Sequence, residues 1–199
     1  VQAARILRLM FGLRIDPANY ENALTRTGWM GRMERFRRFG REFILDGAHN
    51  PLSVKTLARS FPDPSESRAL KPGIKARLSL GGWVVFGAMQ DKNSKAMLEE
   101  LSRSFSRIIL TRVRNGRAKS LKTLLEESKG LFKCVLPAQN TAEALGLAVR
   151  VAGAGSKILV TGSFYLVGEA RKILKKGPRV VFPGARKKSG PRLPTHEKA

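Results

Sequence analysis

Between residues 41 and 175, short apolar runs alternate with segments whose apolar residues recur three and four positions apart. Few architectures satisfy that alternation, because strands separated by helices pair in parallel and the helices must cover the sheet. The runs are EFILD (42–46), GWVVFGAM (82–89), RIILT (107–111), FKCVL (132–136) and KILVTG (157–162). Their apolar character is continuous rather than alternating, the mark of strands buried on both faces. Between them, Val54, Leu57, Ala58 and Phe61 form one helical stripe, Met97, Leu98 and Leu101 a second, and Leu121, Leu124 and Leu125 a third. Ala142, Leu145, Ala148 and Val149 form a fourth, and Leu166, Ala170, Ile173 and Leu174 a fifth. Asn50 before Pro51, and Asn140 before Thr141, are helix-start signals in the right places. The predicted fold class is α/β: a Rossmann-like, mostly parallel sheet with helices on both faces.

The 199 residues accommodate one such domain with extra at both ends. Residues 29–176 are assigned to it, and residues 1–28 read as a helix end, a short helix and a connection. Residues 62–81 form a long polar insertion between the first two strands; residues 177–199 form a basic tail rich in proline and glycine, with a possible last strand RVVF (179–182). The chain starts at Val1, so it reads as a piece of a longer polypeptide. No secretory signal is visible, since Arg5 and Arg8 interrupt the apolar opening, and no apolar stretch reaches membrane-span length. A soluble, cytoplasmic monomer with no membrane partner is expected. The single cysteine, Cys134, excludes an internal disulfide and a cysteine-rich metal site.

A net charge of +23 favours polyanionic partners, but charge alone fixes neither fold nor site. It is concentrated in Arg26–Arg41, which includes Arg32, Arg35, Arg37 and Arg38, and in the tail from Lys175. A nucleic-acid-binding module is one reading of the cluster beside Phe36 and Phe39. Aromatic stacking platforms are not evident, so nucleic acid is not expected as the principal partner.

Ligands of an open parallel sheet bind beyond the carboxyl ends of its strands. The polar residues there are Asp46, His49 and Asn50 after the first run, Gln90, Asp91 and Lys92 after the second, Thr111, Arg112 and Asn115 after the third, and Thr161, Gly162 and Ser163 after the fifth. Each has a structural reading as well: Asp46 and Asn50 as turn and cap, His49 as a turn residue, Ser163 as a helix cap, Asp91 with Lys92 as an exposed ion pair. Neither a phosphate loop nor a dinucleotide fingerprint is present, since GAGSK (153–157) precedes a strand instead of following one. There is no metal-binding histidine pair; the chain has only His49 and His196.

Four ordered motifs carry a resemblance: G-R-x-E (Gly31–Glu34), L-D-G-A-H-N-P (Leu45–Pro51), V-V-F-G-A-M-x-D-K (Val84–Lys92) and T-G-S-F-Y-L-V-G-E-A-R (Thr161–Arg171). Together they resemble the C-terminal part of the folylpolyglutamate synthase/dihydrofolate synthase family, within the Mur ligase superfamily, from about residue 1 to about residue 176. The resemblance makes residues 29–176 a Mur ligase C-terminal domain and residues 1–28 the end of a central ATPase domain. It implies an ATP-dependent amide ligase that activates folate or dihydropteroate as an acyl phosphate for attack by L-glutamate or a growing polyglutamate. Carried over by motif, Arg32 would contact ATP near the adenosine, Asp46 would accept from the ribose hydroxyls, His49 would face the reacting phosphate or carboxylate, and Ser163 would contact glutamate. The phosphate loop and the magnesium site would belong to the central domain of the same polypeptide, so the chain alone is expected not to turn over. The alternative is a free-standing nucleotide-binding domain of the same fold.

Overall fold

The computed structural model describes residues 9–12, 28–61 and 82–176; residues 9–11 are helical, and six strands and five further helices are found from Glu34 onward. In chain order they are β1 (Glu34–Arg38), β2 (Arg41–Leu45), α1 (Pro51–Ala58), β3 (Trp83–Phe86), α2 (Ser94–Ser102), β4 (Arg107–Thr111), α3 (Leu121–Glu127), β5 (Cys134–Ala138), α4 (Thr141–Val151), β6 (Lys157–Thr161) and α5 (Phe164–Lys175). The insertion 62–81, the possible tail strand 179–182 and most of residues 1–28 lie outside the described residues.

All strands but one run parallel, in the order β1-β2-β6-β3-β4-β5, with β1 antiparallel to β2. The α/β, Rossmann-like sheet expected from the apolar runs is therefore present, with one strand more than the sequence suggested. That strand, β1, is ERFRR, whose arginines mask its pattern. It can be basic because it is an edge strand, and it turns into β2 through Phe39 (φ 53°) and Gly40 (φ 67°), the two left-handed residues of a tight hairpin. The fourth apolar run also needs correction: the strand begins at Cys134, two residues later than expected, and runs through Pro137 to Ala138. Proline is tolerated there because β5 is the other edge. The second run likewise stops at Phe86; Met89 makes only an isolated bridge to Ala118.

The helices divide between the faces. Val54 and Leu57 of α1, Met97, Leu98 and Leu101 of α2 and Leu124 of α3 pack on one face around Ile44, Val84, Phe86, Ile108 and Leu159. Leu145 and Ala148 of α4 and Leu166, Val167, Ala170 and Leu174 of α5 cover the other, around Phe43, Val85, Ile109, Ile158 and Val160. Asparagine caps α1 as its sequence demanded: Asn50 Oδ1 accepts from Ser53 N–H, the Ser53 hydroxyl answers the Asn50 N–H, and Pro51 occupies the first turn. Asn140 caps α4 through its side-chain oxygen, which accepts from Glu143 N–H.

This layout creates a switch point. The chain passes from β2 to β3 over α1 and returns to lay β6 between them, and β6 leads into α5 on the opposite face. Loops leaving β2 and β6 therefore diverge, which opens a crevice at their carboxyl ends. At its base only glycine fits. Gly162 has φ 108°, and a Cβ there would stand 2.7 Å from the Phe86 ring and 2.8 Å from the Gly87 carbonyl oxygen. Replacing Gly162 with alanine should cost at least about 2 kcal/mol of unfolding free energy, read as a lower urea midpoint, from backbone strain plus contact.

Candidate functional site

The loop after β2 is bound to both of its neighbours. Asp46 N–H donates to Val160 O (3.0 Å), Gly47 N–H to Gly31 O (2.8 Å), and Gly162 N–H to Ala48 O (3.0 Å). The Asp46 carboxylate is buried, 7% exposed, and accepts from Met33 N–H through Oδ2 (3.0 Å) and from Ala48 N–H through Oδ1 (2.9 Å). Those bonds fix its orientation. A carboxylate offers about four acceptor sites, so roughly half its capacity remains for other donors.

The residues before β1 arrive at the same place. Gly31 (φ 70°) and Met33 (φ 48°) are left-handed, and the turn is held by Glu34, whose carboxylate accepts from Gly31 N–H (2.9 Å) and from Arg171 Nε of α5 (2.9 and 3.1 Å). Arg32 is thereby projected outward, its guanidinium 4.9 Å from the centroid of the Phe164 ring, a cation–π distance. The same ring meets the His49 imidazole, with centroids 5.4 Å apart and planes tilted by 49°. Phe164 also lies directly on the backbone of Gly47, where a Cβ would come within 2.3 Å of the ring. One aromatic side chain, at the first position of α5, thus organises Arg32, Gly47 and His49.

His49 Nδ1 lies 2.8 Å from Gly47 O. A carbonyl only accepts, so Nδ1 carries the proton, and Nε2 is the nitrogen left to accept a hydrogen bond or, in the imidazolium, to donate one. Ser163 sits deeper, 1% exposed, with its Oγ accepting from Leu166 N–H as the cap of α5. Of the four sequence candidates, Arg32 and Asp46 line one cleft of about 480 Å³, together with Met33, Leu52 and Thr56; His49 stands on the Phe164 side, and the Ser163 hydroxyl is turned into its own helix.

The other rim residues tie loops to one another. Gln90 N–H donates to Arg117 O (2.8 Å), and Lys119 Nζ reaches Lys92 O (3.1 Å) and Glu127 (3.0 Å). Lys92 hydrogen-bonds Asp91, which is exposed, and holds its carboxyl below its ordinary value. Sequence reading missed Phe164, Gly47 and the Glu34–Arg171 pair. All four stand in the quoted motifs, but their contacts join segments more than a hundred residues apart. Among the described residues, no group of three or more His, Cys, Asp or Glu could hold a metal ion, and no helix is long and apolar enough to cross a membrane.

The family model of the Mur ligase glutamate ligase domain matches residues 31–164. Folylpolyglutamate synthase of Mycobacterium tuberculosis, solved in complex with ADP, has a TM-score of 0.67 and 24% identity, over 84% of this chain and 37% of that one. Folylpolyglutamate synthase of Thermotoga maritima has a TM-score of 0.61 and 29% identity, over 82% of this chain and 35% of that one. The bifunctional folylpolyglutamate synthase/dihydrofolate synthase of Yersinia pestis, solved with AMPPNP and Mn ion, has a TM-score of 0.65 and 20% identity, over 82% and 35%. The chain spans little more than a third of the length of these relatives. No curated protein matches it.

The Phe164 arrangement can be checked without a ligand. Gly47→Ala should displace the partly exposed ring while the sheet stays folded, because the clash involves a side chain able to swing outward. Proton NMR should then lose the ring-current shift of the His49 ring protons with little change in far-UV circular dichroism. Retention of that shift in the variant would contradict the contact.

Proposed function

The chain belongs to the Mur ligase family, of which it carries the glutamate ligase domain, and on that premise we propose that it is the C-terminal domain of an ATP-dependent amide ligase joining L-glutamate to dihydropteroate, folate or folylpolyglutamate. The observation that carries this reading is the crevice at the switch between β2 and β6, where Arg32 and Asp46 line one cleft beside the Phe164–His49 pair. Solved relatives of the same fold were obtained with ADP or AMPPNP, which supports a nucleotide as the occupant.

ATP supplies the phosphoryl group that converts a carboxylate into an acyl phosphate. The residues of this chain suit its adenosine end. Asp46, already oriented by two backbone N–H groups, keeps acceptor capacity for ribose hydroxyls, and Arg32 offers a planar fork beside an apolar wall formed by Met33 and Leu52. His49, with Nδ1 committed to Gly47 O, presents Nε2 toward the reacting groups. Ser163 would act on the glutamate side by holding the first turn of α5, whose Tyr165 is 47% exposed. Among the described residues the carboxylates are not grouped as a magnesium site would require. Trp29, Met30 and Leu52 are 65–75% exposed, surface suited to be covered by the phosphate-gripping domain that the length of the relatives accommodates. In this reading the site works by positioning and charge stabilisation, in the cytoplasm where ATP and folates meet.

Titrating the chain with ADP should perturb backbone NMR signals at residues 31–33, 46–49 and 164, and Arg32→Ala should weaken binding about tenfold by removing charge-assisted hydrogen bonds. Shifts confined to other surfaces would remove the adenosine assignment. With ATP, dihydropteroate or folate, and glutamate, the 199-residue chain by itself should release no ADP above background; measurable release would overturn the division of labour between domains.

A further inference from the structure

Phe164 opens α5 but is not needed to pack the sheet: it is 46% exposed and belongs to neither of the clusters that cover the two faces. A lone exposed aromatic residue is ordinary on a protein surface. This one is instead built into the loops of the crevice. Gly47 has no left-handed backbone to account for its lack of a side chain, yet a Cβ there would come within 2.3 Å of the Phe164 ring. The side chain is missing where the ring needs the space. On the reading of the Arg32–Asp46 cleft as the adenosine site, we propose that Phe164 is a positioning residue for the nucleotide, holding the Arg32 guanidinium before the ligand arrives in the place where the ligand is met.

The backbone of Arg32 is fixed on both sides. Its own N–H donates to Trp29 O (3.1 Å), the preceding Gly31 O accepts from Gly47 N–H (2.8 Å), and the following Met33 N–H donates to Asp46 Oδ2 (3.0 Å). The side chain is held differently. Among the described residues it makes no hydrogen bond and no ion pair, and the group found against its guanidinium is the Phe164 ring, 4.9 Å away. The ring is itself anchored: Ser163 Oγ accepts from Leu166 N–H (3.1 Å) to cap α5, and Arg171 of the same helix binds Glu34 (2.9 Å), which holds the Gly31 turn.

A long arginine side chain that is free to move must be ordered by its ligand, and affinity falls by that cost. An aromatic face removes the cost without competing for the ligand, because it attracts the cation and leaves the five N–H donors unused. A carboxylate in the same place would occupy two donors and neutralise the charge. The direction of the effect follows. If the contact persists when nucleotide binds, removing the ring weakens binding; if the contact has to break, removing the ring strengthens it.

Calorimetric titration of the 199-residue chain with ADP tests the role. Phe164→Ala should bind about fivefold more weakly than wild type, the change that an exposed cation–π contact is worth, with little change in urea midpoint. Phe164→Leu, an apolar side chain without an aromatic face, should show the same loss, and Phe164→Tyr should recover wild-type affinity. Because the ring acts through Arg32, Phe164→Ala should add little to the loss caused by Arg32→Ala, whereas independent contributions multiply. Wild-type or tighter affinity in Phe164→Ala, recovery by Phe164→Leu, or multiplied losses in the double variant would overturn the proposal and leave the adenosine assignment standing. Absence of ADP binding to wild type, or equal affinity of wild type and Arg32→Ala, would remove that assignment and the role of Phe164 with it.

Discussion

The paired hydrogen bonds that hold β6 between β2 and β3 govern everything at the carboxyl rim. Ile158, Leu159 and Val160 pair with β2 on one side and with β3 on the other, so the last strand in the described sequence occupies the centre of the sheet. Its helix then leaves on the face opposite to α1 and α2. Neighbouring strands whose loops turn away from each other leave a crevice that no backbone fills, and it collects the exposed N–H groups of diverging loops. Asp46 answers two of those groups, at Met33 and Ala48, and this gives a reason for a buried acid at a strand end where an apolar residue would otherwise suffice.

That dependence clarifies what a single sequence can convey. Strands β2, β3, β4 and β6 were legible because burial on both faces leaves continuous apolar runs, and α1 and α4 because a capping asparagine is a local event. β1 was not legible. An edge strand needs only one apolar face, and here Phe36 supplies most of it while arginines fill the remainder. The start of β5 was misplaced because Phe132 and Cys134 share apolar character, and only pairing with Arg107 decides which of them opens the ladder.

The site divides the same way. Asp46 and Arg32 could be chosen from motif residues, since their chemistry advertises itself. Phe164 could not, because an aromatic residue at the start of a helix looks like surface until Arg32, Gly47 and His49 are seen around it. Ser163 was legible in both of its readings, and the geometry gives its hydroxyl to the helix cap. A cap is a local interaction; a platform assembled from residues 32, 47, 49 and 164 is not.

The two rims also differ in how they treat charge. At the carboxyl rim the Arg32 guanidinium lies over an aromatic ring, a partner that holds a cation without cancelling its charge, beside an oriented carboxylate. At the amino rim Arg38 and Arg41 are held by helix-end carbonyls. Among the described residues, orientation is supplied in each case by a group weaker than a carboxylate, so the charge is not consumed in an ion pair there. The Glu34–Arg171 pair shows the contrasting use: both side chains are mostly buried and hydrogen-bonded to each other, and their charge is consumed in fastening the Gly31 turn to α5. Because Arg32 follows that turn directly and leans on Phe164 of the same helix, the position of Arg32 is set from both sides by α5. A displacement of the first turn of α5 would therefore move Arg32 and His49 together, so the two ends of the crevice respond as one unit.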